Sequence, residues 1–201
     1  MKRNQYTLGK PISFKGNGLH SGIPVTITMR PAPAGSGIIF RRIDLTGAPE
    51  VPAKSEFVTN TLRATTLERG NAKVFTVEHI LSALFALRID NCILEMDAPE
   101  PPVADGGALT FSQMILEAGI VELEEQTDIL TLETSVAVYE DNKFITALPY
   151  DGLRITFTSI NPHPLLGTQM KDFTIDKETY IREIAPSRTI GFTWELEAMR
   201  Q

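Results

Sequence analysis

Hydrophobic residues repeat with two different periods in this sequence, which restricts the fold to a mixture of strands and helices. In PVTITMRP, Val25, Ile27 and Met29 alternate with threonines, and this period of two predicts a strand with one buried face. In TVEHILSALFALR (76–88), apolar residues recur every three or four positions, which predicts a helix with Thr76 as its N-cap. We therefore expect an α+β fold.

Similar patterns along the rest of the chain predict two domains of similar plan. Further strands are expected at IIFRRID (38–44), NCILEMD (91–97), TSVAVYED (134–141), KFITALP (143–149) and LRITFTSI (153–160). Further helices are expected over ALTFSQMILEAG (108–119), with Gly119 as C-cap, and over 176–184, with Asp176 as N-cap. Because the acidic segment VELEEQTD (121–128) separates the two sets of elements, we place a first α+β domain at 1–126 and a second at 127–201.

Composition and charge exclude several classes of protein. The 201 residues are 42% hydrophobic and 22% charged, so the chain can build a core and is not disordered throughout. The net charge is −6 and no long run of Lys or Arg occurs, which argues against nucleic-acid binding. We expect a cytoplasmic protein. The N-terminus lacks the apolar region of a secretory signal, no segment has the roughly 20 apolar residues of a membrane span, and a single cysteine forms no internal disulfide.

Glu78 and His79 stand side by side at the start of the predicted helix. The apolar stripe of that helix is formed by Val77, Ile80, Leu81, Leu84 and Leu87. An acidic residue in the first turn is favoured by the free N–H groups there, and a helical histidine is usually packed or solvated, so a structural explanation stays open. The chemical alternative is a metal-bound imidazole beside a carboxylate that takes a proton from water, as zinc hydrolases require.

Several short motifs follow one another in an order that resembles a known family. They are NGLHSG (17–22), TTL (65–67), TVEH (76–79), IDN (89–91), ADGG (104–107), HP (163–164) and SRTIGF (187–192). Together they resemble the UDP-3-O-acyl-N-acetylglucosamine deacetylases, zinc amidases of lipid A synthesis in Gram-negative bacteria. The resemblance implies two layered α/β-sandwich domains, with helices of both between two sheets and the active site at their junction.

The same resemblance implies roles for individual residues. Glu78 matches the general base and His79 a zinc ligand. Thr189 matches the threonine that contacts the substrate and stabilises the oxyanion formed when water attacks the N-acetyl carbonyl. Position 190 is usually a phenylalanine that lines the sugar pocket, and here Ile190 occupies it. The motif ADGG departs from the usual Asp-Gly-Ser, which we interpret as a tolerated change in a loop.

The family's remaining zinc ligands come from a His-Lys-x-x-Asp motif that follows the SRTIGF region, and a further histidine there acts as the acid. This sequence ends at Gln201 before such a motif, so we expect a second domain that is incomplete at its C-terminus, weak zinc binding and little turnover. A catalytic zinc takes about three protein ligands, and nothing in the spacing of His20 and His163 groups them with His79. Two alternatives stay open: a non-catalytic binding domain, or half of an enzyme completed by a second chain.

The other distinctive residues have structural explanations. His20 and His163 are expected in turns, Asp105 as a turn former before two glycines, and Cys92 as a small core residue in a strand. Trp194 and Met199 are expected to make core contacts.

Overall fold

The computed structural model of the protein describes residues 2–161 and 163–192, which form a mixed α and β structure with more strand than helix. The first strands are β1 (Lys2–Leu8), β2 (Ile12–Asn17), β3 (Pro24–Pro31), β4 (Ile38–Arg42), β5 (Glu50–Pro52), β6 (Val58–Asn60), β7 (Thr66–Arg69), β8 (Ala72–Phe75), β9 (Cys92–Met96) and β10 (Ile120–Asp128). They are followed by β11 (Val136–Glu140), β12 (Lys143–Ala147), β13 (Arg154–Ile160) and β14 (Thr168–Thr174). The α-helices are α1 (Glu78–Ala86), α2 (Leu109–Ala118) and α3 (Lys177–Thr179), which continues as a π-helix (Tyr180–Ile184), and a 3₁₀-helix spans Ser55–Phe57. The predicted α+β class is confirmed.

Strands β2, β3, β9, β4 and β5 form, in this order, a sheet with one apolar face. Neighbouring strands are antiparallel except β4 and β9, which run parallel. Because side chains alternate between the faces of a sheet, Ile27, Phe40 and Leu94 fall on one face, and all three are completely buried. The alternation predicted for β3 is confirmed, and its apolar face forms part of the core.

Helices α1 and α2 pack together and contribute to the same core as the apolar face of the sheet. Ile80 and Leu84 of α1 and Phe111 of α2 are buried, which confirms the apolar stripe predicted for α1. The predicted bounds 76–88 were too wide, since the helix spans Glu78–Ala86. Among the described helices, none is long and apolar enough to cross a membrane.

The motif IDN fastens β1 to the rest of the first half. Asp90 accepts two hydrogen bonds from the guanidinium of Arg3, at 2.6 and 2.7 Å, and one from the N–H of Tyr6 at 2.8 Å. The buried amide of Asn91 accepts a hydrogen bond from the N–H of Gly37 at 3.0 Å. These bonds give the motif a structural role.

The acidic segment 121–128, predicted at a domain boundary, forms a strand. Together with Ile120 it makes β10, which pairs antiparallel with β1 from Leu8 to Lys2. This pairing places the acidic segment beside the N-terminal strand of the chain. The division into 1–126 and 127–201, and the layered sandwich in each part, stay predictions.

The strands predicted in the second half are confirmed, and they form two antiparallel hairpins, β11 with β12 and β13 with β14. Strand β14 was not predicted, because its sequence TQMKDFT has no clear alternation of apolar and polar residues. Many apolar side chains of the hairpins face solvent: Val138, Phe144, Ile145 and Ile160 are each at least 67% exposed.

The predicted helical segment near residue 180 is also confirmed, with an N-terminal α-helical turn. The carboxylate of Asp176 caps it by accepting a hydrogen bond from the N–H of Thr179 at 2.7 Å. Tyr180 and Ala185 are buried in the main core, and the hydroxyl of Tyr180 lies 2.8 Å from that of Ser82 in α1. The segment is therefore attached to the first half. Trp194 and Met199, predicted as core contacts, lie outside the described residues.

Candidate active site

Glu78 and His79 are the first two residues of α1 and follow two buried residues, Thr76 and Val77. The side chain of Glu78 is exposed, and its Oε1 accepts a hydrogen bond from the backbone N–H of Thr65. His79 is partly buried, whereas Ile80, the next residue, is completely buried. The helix thus presents a solvent-accessible carboxylate and an imidazole at the edge of the core.

Thr76 does not cap α1 as predicted. Its φ is +57°, a left-handed conformation, and the N-cap position is taken by Val77 without any side-chain hydrogen bond. The hydroxyl of Thr76 instead donates to Oε1 of Glu100 at 2.8 Å. The prediction failed because a distant carboxylate binds this hydroxyl, and such a long-range contact is not visible in the local sequence.

Glu100 also holds the turn that contains His20. Its carboxylate accepts hydrogen bonds from the backbone N–H of His20, at 3.0 and 3.2 Å, and from that of Ser21, at 2.8 Å. Burial raises the pKa of Glu100, but the hydrogen bonds from His20, Ser21 and Thr76 lower it by more, so the net pKa lies below the ordinary value. The ionised carboxylate therefore connects the motif NGLHSG to the residues that precede α1.

The segment that carries Thr189 docks on the loop with the motif ADGG. The N–H of Thr189 donates to the carbonyl of Gly106, and the N–H of Ala108 donates to the carbonyl of Ala185, both at 2.9 Å. The side chains of Thr189 and Ile190 are exposed. Two hydrogen bonds between backbones thus hold this segment at the start of α2.

The three histidines lie in different surroundings. His20 is exposed in its turn, as predicted, while the ring of His163 stacks on that of Phe192, with centroids 5.7 Å apart. His163 lies in the predicted turn, where its Nδ1 accepts a hydrogen bond from the N–H of Leu165 at 3.2 Å. Within residues 2–161 and 163–192, no three side chains of His, Cys, Asp or Glu are grouped so as to hold a metal ion.

Comparison with known proteins identifies the family. The family model for LpxC, UDP-3-O-acyl N-acetylglycosamine deacetylase, matches residues 5–201. The chain belongs to this family.

Curated relatives of the deacetylase family include larger proteins. The bifunctional enzyme LpxC/FabZ of Chlorobaculum tepidum is 44% identical over 199 residues, which are 98% of this chain and 42% of that protein. The UDP-3-O-acyl-N-acetylglucosamine deacetylases of Legionella pneumophila (strain Corby) and Myxococcus xanthus are each 41% identical; the alignments cover 98% of this chain and 66% and 63% of those proteins, respectively. The chain thus spans less than two thirds of the length of these relatives.

Two residues of the candidate site, Thr65 and Glu100, were not predicted from the sequence. Thr65 acts through its backbone N–H, which any residue except proline supplies, so its contact with Glu78 has no sequence signal. Glu100 does carry a signal, because it is the only charged residue in the proline-rich stretch APEPPV. Its neighbours Ala98 and Pro101 are buried too.

Proposed function

We propose that this chain forms part of a cytoplasmic deacetylase that removes the N-acetyl group from UDP-3-O-acyl-N-acetylglucosamine in lipid A synthesis. The observation that carries the proposal is the exposed carboxylate of Glu78 next to the partly buried His79 in the first turn of α1, in a member of the LpxC family. The relatives named above are deacetylases of this substrate by name, which supports the choice of reaction.

Glu78 is proposed as the general base. Water attacks the carbonyl carbon of the acetyl group, and the exposed carboxylate of Glu78 takes its proton. The C–N bond then breaks, so that acetate leaves and the amine nitrogen of the sugar receives the proton that Glu78 took from water. The hydrogen bond from the N–H of Thr65 orients the carboxylate of Glu78 for this role.

Thr189 is proposed as the group that stabilises the oxyanion. Its hydroxyl is an uncharged donor on an exposed surface, and its backbone is fixed by the hydrogen bond to Gly106. Ile190, 65% exposed, is proposed to contact the sugar through its aliphatic side chain in place of an aromatic ring.

His79 is proposed to bind a zinc ion. When bound, zinc polarises a carbonyl group and lowers the pKa of coordinated water. The imidazole of His79 suits this ion, but the described residues do not supply the three protein ligands of a catalytic zinc, so we assign no reaction step to it.

The incomplete set of ligands also favours a second candidate, a non-catalytic domain that retains affinity for the nucleotide sugar. Binding of the substrate to the 1–201 polypeptide without release of acetate would support this candidate. A complementing second chain has no support among the described contacts and is not proposed.

The test of the proposed reaction is the substitution Glu78→Gln in the natural full-length protein, with acetate release from UDP-3-O-acyl-N-acetylglucosamine as the readout. We expect kcat to fall by about 10²- to 10⁴-fold, the usual contribution of a general base. Glu122→Gln is the matched control, since Glu122 is exposed on β10 and bonds to Tyr6 at 2.9 Å. Full activity of the Glu78→Gln variant would contradict the assignment.

The role of His79 is tested separately by metal analysis of the same protein. His79→Ala should lower the zinc affinity of the protein relative to the wild type. Equal zinc content in wild-type and His79→Ala protein would remove His79 from the proposed site.

A further inference from the structure

Glu100 is a completely buried carboxylate to which the reaction described above gives no role. Burying an ionised carboxylate is costly unless hydrogen bonds compensate for the lost water. Glu100 has such compensation from two separate parts of the chain, the turn at His20 and Ser21 and the hydroxyl of Thr76. The carboxylate therefore connects two segments, and one of them leads directly into Glu78 and His79.

Thr76 lies two residues before the start of α1 and has a left-handed backbone conformation. A left-handed conformation is unfavourable for a β-branched residue, so a φ of +57° needs support from its surroundings. The support comes from Glu100, which accepts the hydroxyl, and from the carbonyl of Thr65, which accepts the N–H of Thr76 at 3.1 Å. The N–H of Thr65 in turn donates to Oε1 of Glu78.

The turn that contains His20 and Ser21 packs closely against the carboxylate of Glu100. Gly18 is buried, and a Cβ at this position would overlap both Oε2 of Glu100 and the hydroxyl oxygen of Ser21. Gly18 also pairs with Pro102, close to Glu100 in the sequence. A larger residue at position 18 would therefore displace the carboxylate of Glu100 or the hydroxyl of Ser21.

We propose that Glu100 is a positioning residue for the reaction: by holding Thr76 in its left-handed conformation, it orients Thr65 and Glu78 and fixes the turn at His20 beside the start of α1. This inference rests on the proposed function, because it takes Glu78 as the general base. Glu100 itself acts through other residues and is not expected to touch the substrate.

The first test compares Thr76→Val with Thr76→Ser in the natural full-length protein. Valine keeps the shape of the side chain but loses the hydroxyl that Glu100 binds, while serine keeps the hydroxyl. We expect Thr76→Val to lower kcat by about 10- to 100-fold with KM changed less than about twofold, since small errors of position cost this much. Thr76→Ser should stay within about threefold of the wild type.

Thr7→Val provides the matched control. Thr7 is also a buried threonine, and its hydroxyl donates to the carbonyl of Asn91 at 2.7 Å and accepts the N–H of Ala32 at 2.9 Å. This variant should lose stability but keep kcat. An equal loss of kcat in Thr7→Val and Thr76→Val would show that Thr76 has only a structural role, and this would overturn the proposal.

Hydrogen exchange of the backbone N–H of Thr65 gives a readout that does not depend on activity. Thr76→Val and Glu100→Gln should both speed this exchange, and Thr7→Val should not. If the wild type released no acetate, the proposed function would fail, yet the exchange rates would still decide whether Glu100 and Thr76 hold Thr65 in place. Unchanged exchange and unchanged kcat in Thr76→Val would overturn the inference.

Discussion

Single residues in this protein show how the surroundings of a buried group decide its chemistry. Cys92 and Glu100 are both completely buried, but Cys92 lies among apolar residues of the core while Glu100 is surrounded by hydrogen-bond donors. Burial raises the pKa of the Cys92 thiol to about 12, whereas the donors keep the pKa of Glu100 below its ordinary value. The first group is therefore kept neutral and the second charged at neutral pH.

Cys92 should be unreactive in the folded protein. A thiol with a pKa near 12 has almost no thiolate at pH 8, and its sulfur is out of contact with solvent. We expect no measurable alkylation by iodoacetamide at pH 8 over an hour, followed by complete labelling in guanidinium chloride. Mass spectrometry gives both values, and labelling of the native protein at the rate of the denatured chain would contradict this assignment.

Glu100 should contribute stability that depends on pH. Its lowered pKa means that the folded state binds this proton less readily than the unfolded state, so stabilisation is present at neutral pH. It should be lost as the pH falls below the ordinary glutamate pKa of about 4.3 and through the lower folded value. Urea unfolding of wild-type and Glu100→Gln protein should therefore differ most near pH 7 and least near pH 3. A stability difference that increased as the pH fell would contradict the predicted lowering of the pKa of Glu100.

At the scale of elements, a glycine allows the loop before α2 and the segment 185–189 to lie close together. Gly107 is buried, and a Cβ at this position would lie 2.7 Å from the carbonyl oxygen of Ser187 and 2.9 Å from that of Ala185. Both atoms belong to the backbone and cannot rotate away. The close approach of these two segments, and with it the placement of Thr189, depends on glycine at position 107.

Gly107→Ala should therefore separate the segment from the loop. Overpacking of this kind costs about 1–3 kcal/mol, and relief is available if segment 185–189 moves away. We expect faster hydrogen exchange at the N–H of Ala108 and Thr189, which bond across this contact. Gly191→Ala is the control, since a Cβ there would meet no atom of residues 2–161 and 163–192 within 4 Å. Equal exchange rates in both variants would mean that the contact tolerates the extra carbon.

At the scale of the whole molecule, the two halves differ in how much apolar surface they bury. The first half packs its five-stranded sheet, residues of β1, β7 and β8, and two helices into one core, which also takes in Tyr180 and Ala185. The hairpins β11–β12 and β13–β14 lie outside this core and expose apolar side chains on their strands. Large exposed apolar patches lead soluble proteins to associate.

The 1–201 polypeptide should accordingly associate through its hairpins. Ile145→Lys places a charge on a strand where Ile145 is 78% exposed and faces Val138 on the neighbouring strand. We expect this variant to reduce the apparent mass in light scattering at micromolar concentration. Leu62→Lys, at an equally exposed position of the first half, is the control and should change little. A monomeric wild-type polypeptide would contradict the prediction.

The local patterns of the sequence determined most of the elements near the site. The stripe of α1, the alternation in β3 and the Asp176 cap depend on neighbours a few residues apart, so they could be predicted and were confirmed. The catalytic roles of Glu78, His79 and Thr189 came from the order of motifs and stay proposals.

Only the tertiary structure decided how those elements are held together. Thr76, which was expected as the helix cap, has a left-handed conformation and its hydroxyl binds Glu100. The acidic segment lies in β10, which pairs with β1. The physical reason is that periodicity reports only whether a side chain faces the core or solvent. The partner of a buried polar group is chosen by the packing of segments far apart in the chain, and a local pattern does not encode that choice.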